Sequence, residues 1–254
     1  MKSQIPNLFT LLNLLSGMIA VVMAATDELV TAAFFVFLGI FFDFFDGFFA
    51  RKFEVVGELG KQLDSLADMV TSGVVPAIVM FQLMLYATKG QWFMELSCET
   101  GNWREYSDTY YYFLPFSGLL IAPAAAYRLA NFNIDERQSG SFIGLPTPAF
   151  AIFVVSLPLI LFYSENIFFS SLLKNFNVLL CITLLGSYAM NAELPLFSLK
   201  FRNYRWKDNE MKYIFLVATV CMLVLLKSVA VPLIIFLYVL LSILDNRIKK
   251  TRVK

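Results

Sequence analysis

The stretch that decides the fold runs Asp43-Phe44-Phe45-Asp46-Gly47-Phe48-Phe49-Ala50-Arg51-Lys52-Phe53-Glu54-Val55-Val56-Gly57-Glu58-Leu59-Gly60-Lys61-Gln62-Leu63-Asp64-Ser65-Leu66-Ala67-Asp68. The apolar run before it starts at Leu29, reaches about Phe53 and carries charge only in its last turns. The run after it starts near Gly60, reaches Thr88 and carries charge only in its first turns. A helix needs about 20 mostly apolar residues to cross a bilayer. Both runs are long enough, so two spans meet at a short turn near Glu54 to Glu58.

The same reading extends in both directions. Charge-free stretches predict further spans at Ser3 to Ala25, Thr109 to Tyr127, about Pro146 to Ser164 and about Asn175 to Ala192. Tyr213 to Leu226 and Ser228 to Leu244 predict a closing hairpin whose turn holds Lys227. The result is an all-α polytopic membrane helix bundle of about eight spans, one integral membrane domain over residues 1–254 with the hairpin at 211–246. Ala24-Ala25 offer the small residues of a signal cleavage site, but this apolar run exceeds a usual signal core and more spans follow.

Composition agrees. Of 254 residues, 59% are hydrophobic and 15% charged, against roughly a quarter charged in soluble domains. The mean hydropathy is +0.69. With eight spans, 16 of the 20 Lys and Arg fall on the side that holds both termini. The positive-inside bias makes that side cytoplasmic. The inner loop basic residues Lys200, Arg202, Arg205 and Lys207 suit anionic headgroups, though positive-inside loops are basic without that role. Trp103 and Tyr110-Tyr111-Tyr112 suit an outer interfacial belt. No basic patch or repeat points to nucleic acid.

There is no histidine, which excludes His-based acid–base catalysis and His-ligated metals. Three cysteines, Cys98, Cys181 and Cys221, lack any pairing spacing. The chemistry must therefore sit with the carboxylates. Asp43, Asp46, Gly47, Ala50 and Arg51 are spaced to share one helix face, and Gly60, Asp64 and Asp68 another. The turn brings these faces together at the cytoplasmic boundary. Four like charges there repel and need cations. Oxygen-only ligands favour Mg²⁺ or Mn²⁺, which leave positions open to substrate phosphates. Phosphoryl transfer is the reaction class that follows. Gly47, Ala50 and Gly60 permit close approach of a bulky ligand, and Arg51 is a fork donor for phosphate.

Written as D-x2-D-G-x2-A-R-x8-G-x3-D-x3-D, the stretch resembles the signature of the CDP-alcohol phosphotransferase family at every specified position. Further patches resemble bacterial phosphatidylserine synthases: Ile5-Pro6-Asn7-Leu8-Phe9-Thr10-Leu11-Leu12-Asn13, Leu59 to Asp68, Tyr127-Arg128-Leu129-Ala130-Asn131-Phe132-Asn133 and Gly144-Leu145-Pro146-Thr147-Pro148. The resemblance covers patches from Ile5 to Lys200. It departs at Thr71-Ser72-Gly73-Val74-Val75-Pro76-Ala77, where the family reads like Ser-Phe-Gly-Val-Ala-Pro-Ala, and at Asn131, which replaces an arginine.

The resemblance implies transfer of a phosphatidyl group from CDP-diacylglycerol to L-serine in a bacterial or archaeal cytoplasmic membrane. It implies two divalent cations per site held by Asp43, Asp46, Asp64 and Asp68, with Asp68 also the general base. It also implies a homodimer. CDP-diacylglycerol is expected against Gly47, Ala50, Arg51 and Gly60, with Asn7 and Thr10 reaching the diphosphate or cytidine. Arg128 is the first choice for the serine carboxylate, followed by Asn131, Asn133, Gln62 and Ser65. Capping explains Asn7 and Thr10 equally well, and positive-inside anchoring explains Arg128. Two alternatives stand: another acceptor, such as glycerol phosphate or inositol, and a cation transporter. A transport path crosses the membrane, whereas these acids gather at one end.

Overall fold

The computed structural model describes residues 4–55, 57–90, 113–135, 142–164, 166–196 and 206–252. Helix α1 (Gln4–Ala25) has Pro6 in its first turn, where no backbone donor is needed. It ends in a left-handed residue, Asp27 (φ 69°), and Glu28 N donates back to Met23 O at 2.9 Å, so the chain reverses within a few residues. Helix α2 (Leu29–Lys52) then runs back along α1.

After a turn at Phe53-Glu54, α3 (Glu58–Asp68), a π-helical turn (Met69–Val74) and α4 (Val75–Lys89) form one continuous helical rod. The π turn has a local cause. Pro76 lacks an N–H, and its ring would clash with the carbonyl four residues back. Widening the preceding turn relieves both problems. The rod stops at Gly90 (φ 68°), whose N–H caps Tyr86 O at 2.8 Å.

A 3₁₀ segment (Leu114–Leu120) leads into α5 (Ile121–Ile134). Then follow α6 (Thr147–Tyr163), the short α7 (Ile167–Leu173) and α8 (Phe176–Asn191). Strands β1 (Phe142–Ile143) and β2 (Pro195–Leu196) make a two-residue antiparallel bridge. Helices α9 (Trp206–Leu226) and α10 (Ala230–Arg252) flank a 3₁₀ turn and pack antiparallel, with Phe215 and Leu241 buried between them.

The core is built from α1, α2, α4, α5, α6 and α8, with Ala20, Ala24, Ala32 and Ala33 bringing the first two helices close and Val79, Met80, Leu83 and Val154 filling the centre. On α2, Phe34, Phe37, Phe41, Phe44 and Phe48 project outward, 37–63% exposed. An apolar stripe of this kind is tolerated where the surrounding solvent is lipid.

The all-α membrane bundle predicted from sequence is the architecture observed. The span count differs. Four helical stretches among the described residues are long and apolar enough to cross a membrane: Gln4–Ala25, Leu29–Lys52, Glu58–Lys89 and Asn209–Asp245. A fifth arises if α7 and α8, bent by 73°, count as one. Two of the expected spans take another form, and the closing hairpin is present as expected. Residues 113–134 divide into a 3₁₀ segment and a 14-residue helix, and the start of that expected span lies outside the described residues. Helix α6 has only 17 residues. The last 37-residue stretch contains the α9–α10 reversal at Lys227 (φ 48°), so it is the folded pair predicted from the sequence, with Lys227 in its turn. Trp103, Tyr110 to Tyr112, Cys98, Lys200, Arg202 and Arg205 lie outside the described residues.

Where the 3₁₀ segment crosses α4, a Cβ on Gly118 would stand 2.7 Å from Phe81 N, which is backbone and cannot step aside. Gly118→Leu is expected to destabilise the bundle by about 1–3 kcal/mol, the usual effect of overpacking. A lowered melting temperature of the detergent-solubilised protein checks this, and an unchanged one refutes the contact.

Candidate active site

The last turns of α2 carry Asp43 and Asp46, and α3 carries Asp64 and Asp68. Both pairs are spaced by about one helical turn, so each pair shares a face. The N-terminal half of α1 packs against both. A chain of polar residues on α1, Asn7, Thr10 and Asn13, faces this junction.

Asp43, Asp64 and Asp68 converge, with one oxygen from each lying within 4.8 Å of the others. Asp43 and Asp64 are close enough to share a hydrogen bond. The charged neighbours around Asp43 are themselves carboxylates: Asp68, Asp64 and Asp46. Asp64 Oδ1 is buried and has no hydrogen-bond donor. Such an arrangement is unfavourable unless a cation or proton occupies it. The donor set is all oxygen, and one of its members carries an orphaned buried oxygen. The residues therefore fit a hard divalent cation, and Asp43, Asp64 and Asp68 could hold it.

Asp46 is different. It is buried, stands outside that three-carboxylate group, and accepts a 2.7 Å hydrogen bond from Thr10 Oγ1. The sequence assigns Thr10 to nucleotide; in the structure its hydroxyl is directed to Asp46 Oδ2, with Pro6 O at 3.2 Å. Asn7 lies opposite Gly60, and a Cβ added there would approach Asn7 Oδ1 to 3.5 Å. Gly47 and Ala50 are half-buried on the acidic face, while Arg51 is exposed one turn further on.

The residues assigned to serine divide into two groups. Arg128 on α5 is buried, with its guanidinium 5.9 Å from the Phe132 ring centroid. Asn133 Nδ2 donates to Ser65 Oγ at 2.7 Å, and Lys61 Nζ donates to Asn133 O at 2.6 Å. These bonds dock α5 on α3 beside the carboxylates. Gln62 and Asn131 are exposed and make no part of this lock.

Two residues escaped the reading of the sequence. Asn13 Nδ2 donates to Asp68 Oδ1 at 3.2 Å, and Thr71 Oγ1 donates to Asn13 Oδ1 at 2.8 Å. Asn13 and Thr71 are both fully buried. The available signal was the spacing of Asn7, Thr10 and Asn13, a polar row on an otherwise apolar helix. Thr71 continues the spacing of Asp64 and Asp68 by three residues, which is the same kind of signal.

Comparison with known proteins agrees with this geometry. Residues 3–185 match the model of a family described as CDP-alcohol phosphatidyltransferase. The chain is 33% identical over 148 residues to the CDP-diacylglycerol–serine O-phosphatidyltransferase of Bacillus subtilis, covering 57% of this chain and 69% of that protein. It is 29% identical over 164 residues to the archaetidylserine synthase of Methanothermobacter thermautotrophicus, covering 63% and 60%. It is 32% identical over 152 residues to the CDP-diacylglycerol–serine O-phosphatidyltransferase of Helicobacter pylori (strain J99), covering 59% and 55%. The matched stretch thus spans 55–69% of the length of these relatives. The matched region contains the whole carboxylate junction of α1, α2 and α3, and by that match the chain belongs to the CDP-alcohol phosphatidyltransferase family.

Proposed function

We propose that the protein transfers a phosphatidyl group from CDP-diacylglycerol to the hydroxyl of L-serine, giving phosphatidylserine and CMP. The observation that carries this reading is the convergence of Asp43, Asp64 and Asp68 where α2 meets α3. Family membership supplies the reaction class. Serine is supported by the names of both bacterial and archaeal relatives, which share that acceptor while their lipids differ. The patches from Ile5 to Asn13 and from Tyr127 to Asn133 support it further.

Asp43, Asp46, Asp64 and Asp68 would hold two divalent cations, Mg²⁺ or Mn²⁺, with Thr10 fixing Asp46. When bound, such ions neutralise the diphosphate and the charge left on CMP. Gly47, Ala50 and Gly60 leave room for the nucleotide, with Asn7 at its edge and Arg51 as a phosphate donor at the rim. Asp68 accepts the proton of the serine hydroxyl. The serine oxygen then forms a bond to the phosphorus bearing diacylglycerol as the bond to the CMP oxygen breaks. Arg128 receives the serine carboxylate: its guanidinium is already desolvated and held over Phe132, so little side-chain freedom is lost on binding. Ser65 and Asn133 line the same side. Both bond to one another, so their role is to shape the pocket wall. The site faces the cytoplasm by the charge split, and the protein works as a homodimer.

A phosphorylated acceptor would call for a larger basic cluster. Lys61 is engaged with Asn133 O, which favours the unphosphorylated acceptor. Purified protein given CDP-diacylglycerol and Mn²⁺ is expected to release CMP with serine and not with glycerol phosphate or inositol, and to stop on chelation. Release with either other alcohol alone overturns the serine assignment.

Asp68→Asn is expected to lower kcat by about 10²- to 10⁴-fold, the usual contribution of a general base. Near-normal turnover removes Asp68 from that role. Arg128→Ala should raise KM for serine by about tenfold or more while KM for CDP-diacylglycerol changes little, since a lost charged hydrogen bond is worth about 1.5–3 kcal/mol. Equal effects on both substrates would point to a collapsed site instead.

A further inference from the structure

Asn13 lies in the middle of α1 and is fully buried. An amide there is unfavourable unless each of its atoms finds a partner. Both do. Nδ2 reaches Asp68 Oδ1 at 3.2 Å, and Oδ1 takes the Thr71 hydroxyl at 2.8 Å. The orientation follows from chemistry. An ionised carboxylate only accepts, so the amide must turn its NH₂ to Asp68. Its carbonyl then faces Thr71, whose hydroxyl is the donor that fits.

The packing around this pair is shaped to admit it. A Cβ on Gly39 of α2 would stand 2.8 Å from Asn13 Oδ1 and 2.8 Å from Thr71 Cγ2. A Cβ on Gly17 of α1 would collide with Thr71 Oγ1. Two glycines on two helices thus clear the space that Asn13 and Thr71 fill. Thr71 lies in the π turn, three residues after Asp68, so the two sit on the same side of the rod.

We propose that Asn13, locked by Thr71, is a positioning residue that fixes the Asp68 carboxylate, holding Oδ1 so that the second oxygen is presented to the carboxylate cluster. Its catalytic part rests on the reading of Asp68 given under Proposed function; its structural part does not. Neither residue touches substrate in this role. Both act through Asp68, as outer partners of metal-ligating groups commonly do.

The test uses the full chain purified in detergent. Three variants are compared with wild type: Asn13→Leu, Thr71→Val and Thr71→Ser. Kinetics with CDP-diacylglycerol and serine give kcat and both KM values. A thermal-shift titration with Mn²⁺ gives the concentration at half-effect without any turnover. Asn13→Leu and Thr71→Val are expected to lower kcat and raise the Mn²⁺ midpoint, each by about 10- to 100-fold. Both KM values should stay within about threefold, because substrate binding is not what is lost. Thr71→Ser keeps the hydroxyl and should restore both quantities. Wild-type kcat and Mn²⁺ midpoint in Asn13→Leu and Thr71→Val would overturn the proposal. So would Thr71→Ser as impaired as Thr71→Val, since volume rather than the hydroxyl would then matter. If wild type releases no CMP with serine yet binds Mn²⁺, the reaction assignment has failed, and the Mn²⁺ midpoints alone decide the positioning role.

Discussion

Mutual repulsion of carboxylates held away from water is the constraint on which the rest of this structure depends. One oxygen each from Asp43, Asp64 and Asp68 lies within 4.8 Å of the others, between α2 and α3. Like charges so placed would drive the helices apart unless a cation or proton is taken up. Everything nearby opposes that separation. Thr10 holds Asp46, Asn13 holds Asp68, and the Lys61–Asn133–Ser65 bonds fasten α3 to α5. The alanines between α1 and α2 keep the scaffold close. Electrostatic cost is concentrated at one end of the bundle, and apolar packing along the remaining length carries it.

Much of this was legible in the sequence because it depends on local spacing. Charge-free runs marked α1, α2 and the α3–α4 rod to within a few residues. Intervals of three and four placed each aspartate pair on one face, and a short turn could only bring the faces together. What stayed hidden depends on how helices meet. Asp46 could not be told apart from its neighbours until Thr10 was seen to approach it. Arg128 and Asn133 lie 60 or more residues from the aspartates, so only the docking of α5 shows which of them face α3. Hydropathy also cannot distinguish a straight crossing from a bent pair such as α7 and α8, or from a 3₁₀ segment leading into a short helix, so the described residues show four or five candidate spans where the sequence predicts eight.

The phenylalanines tell a complementary story. Those at positions 34, 37, 41, 44 and 48 on α2 turn away from the core. Phe9 on α1 instead stacks on Phe45 and Phe49, at ring-centroid distances of 5.9 and 5.2 Å. The same residue type thus serves two solvents: one set faces outward, the other clamps α1 onto α2 just beside the carboxylates. Aromatic pairs of this kind add about 0.5–1.5 kcal/mol beyond the area they bury. Here they fix the helix that supplies Thr10 and Asn13.

The π turn at Met69–Val74 has a geometric consequence for the rod that contains it. A π-bulge amounts to one extra residue in a helix, an offset of about 100° in rotational phase. The acidic face of α3 and the apolar face of α4 are therefore indexed separately, although they belong to one continuous helix. Val75, Val79 and Leu83 can seek their best fit in the bundle without dragging Asp64 and Asp68 around the axis. The turn works as a fixed gear between two jobs: one end of the rod is set by the needs of charge, the other by the needs of packing, and the six residues between them hold the angle.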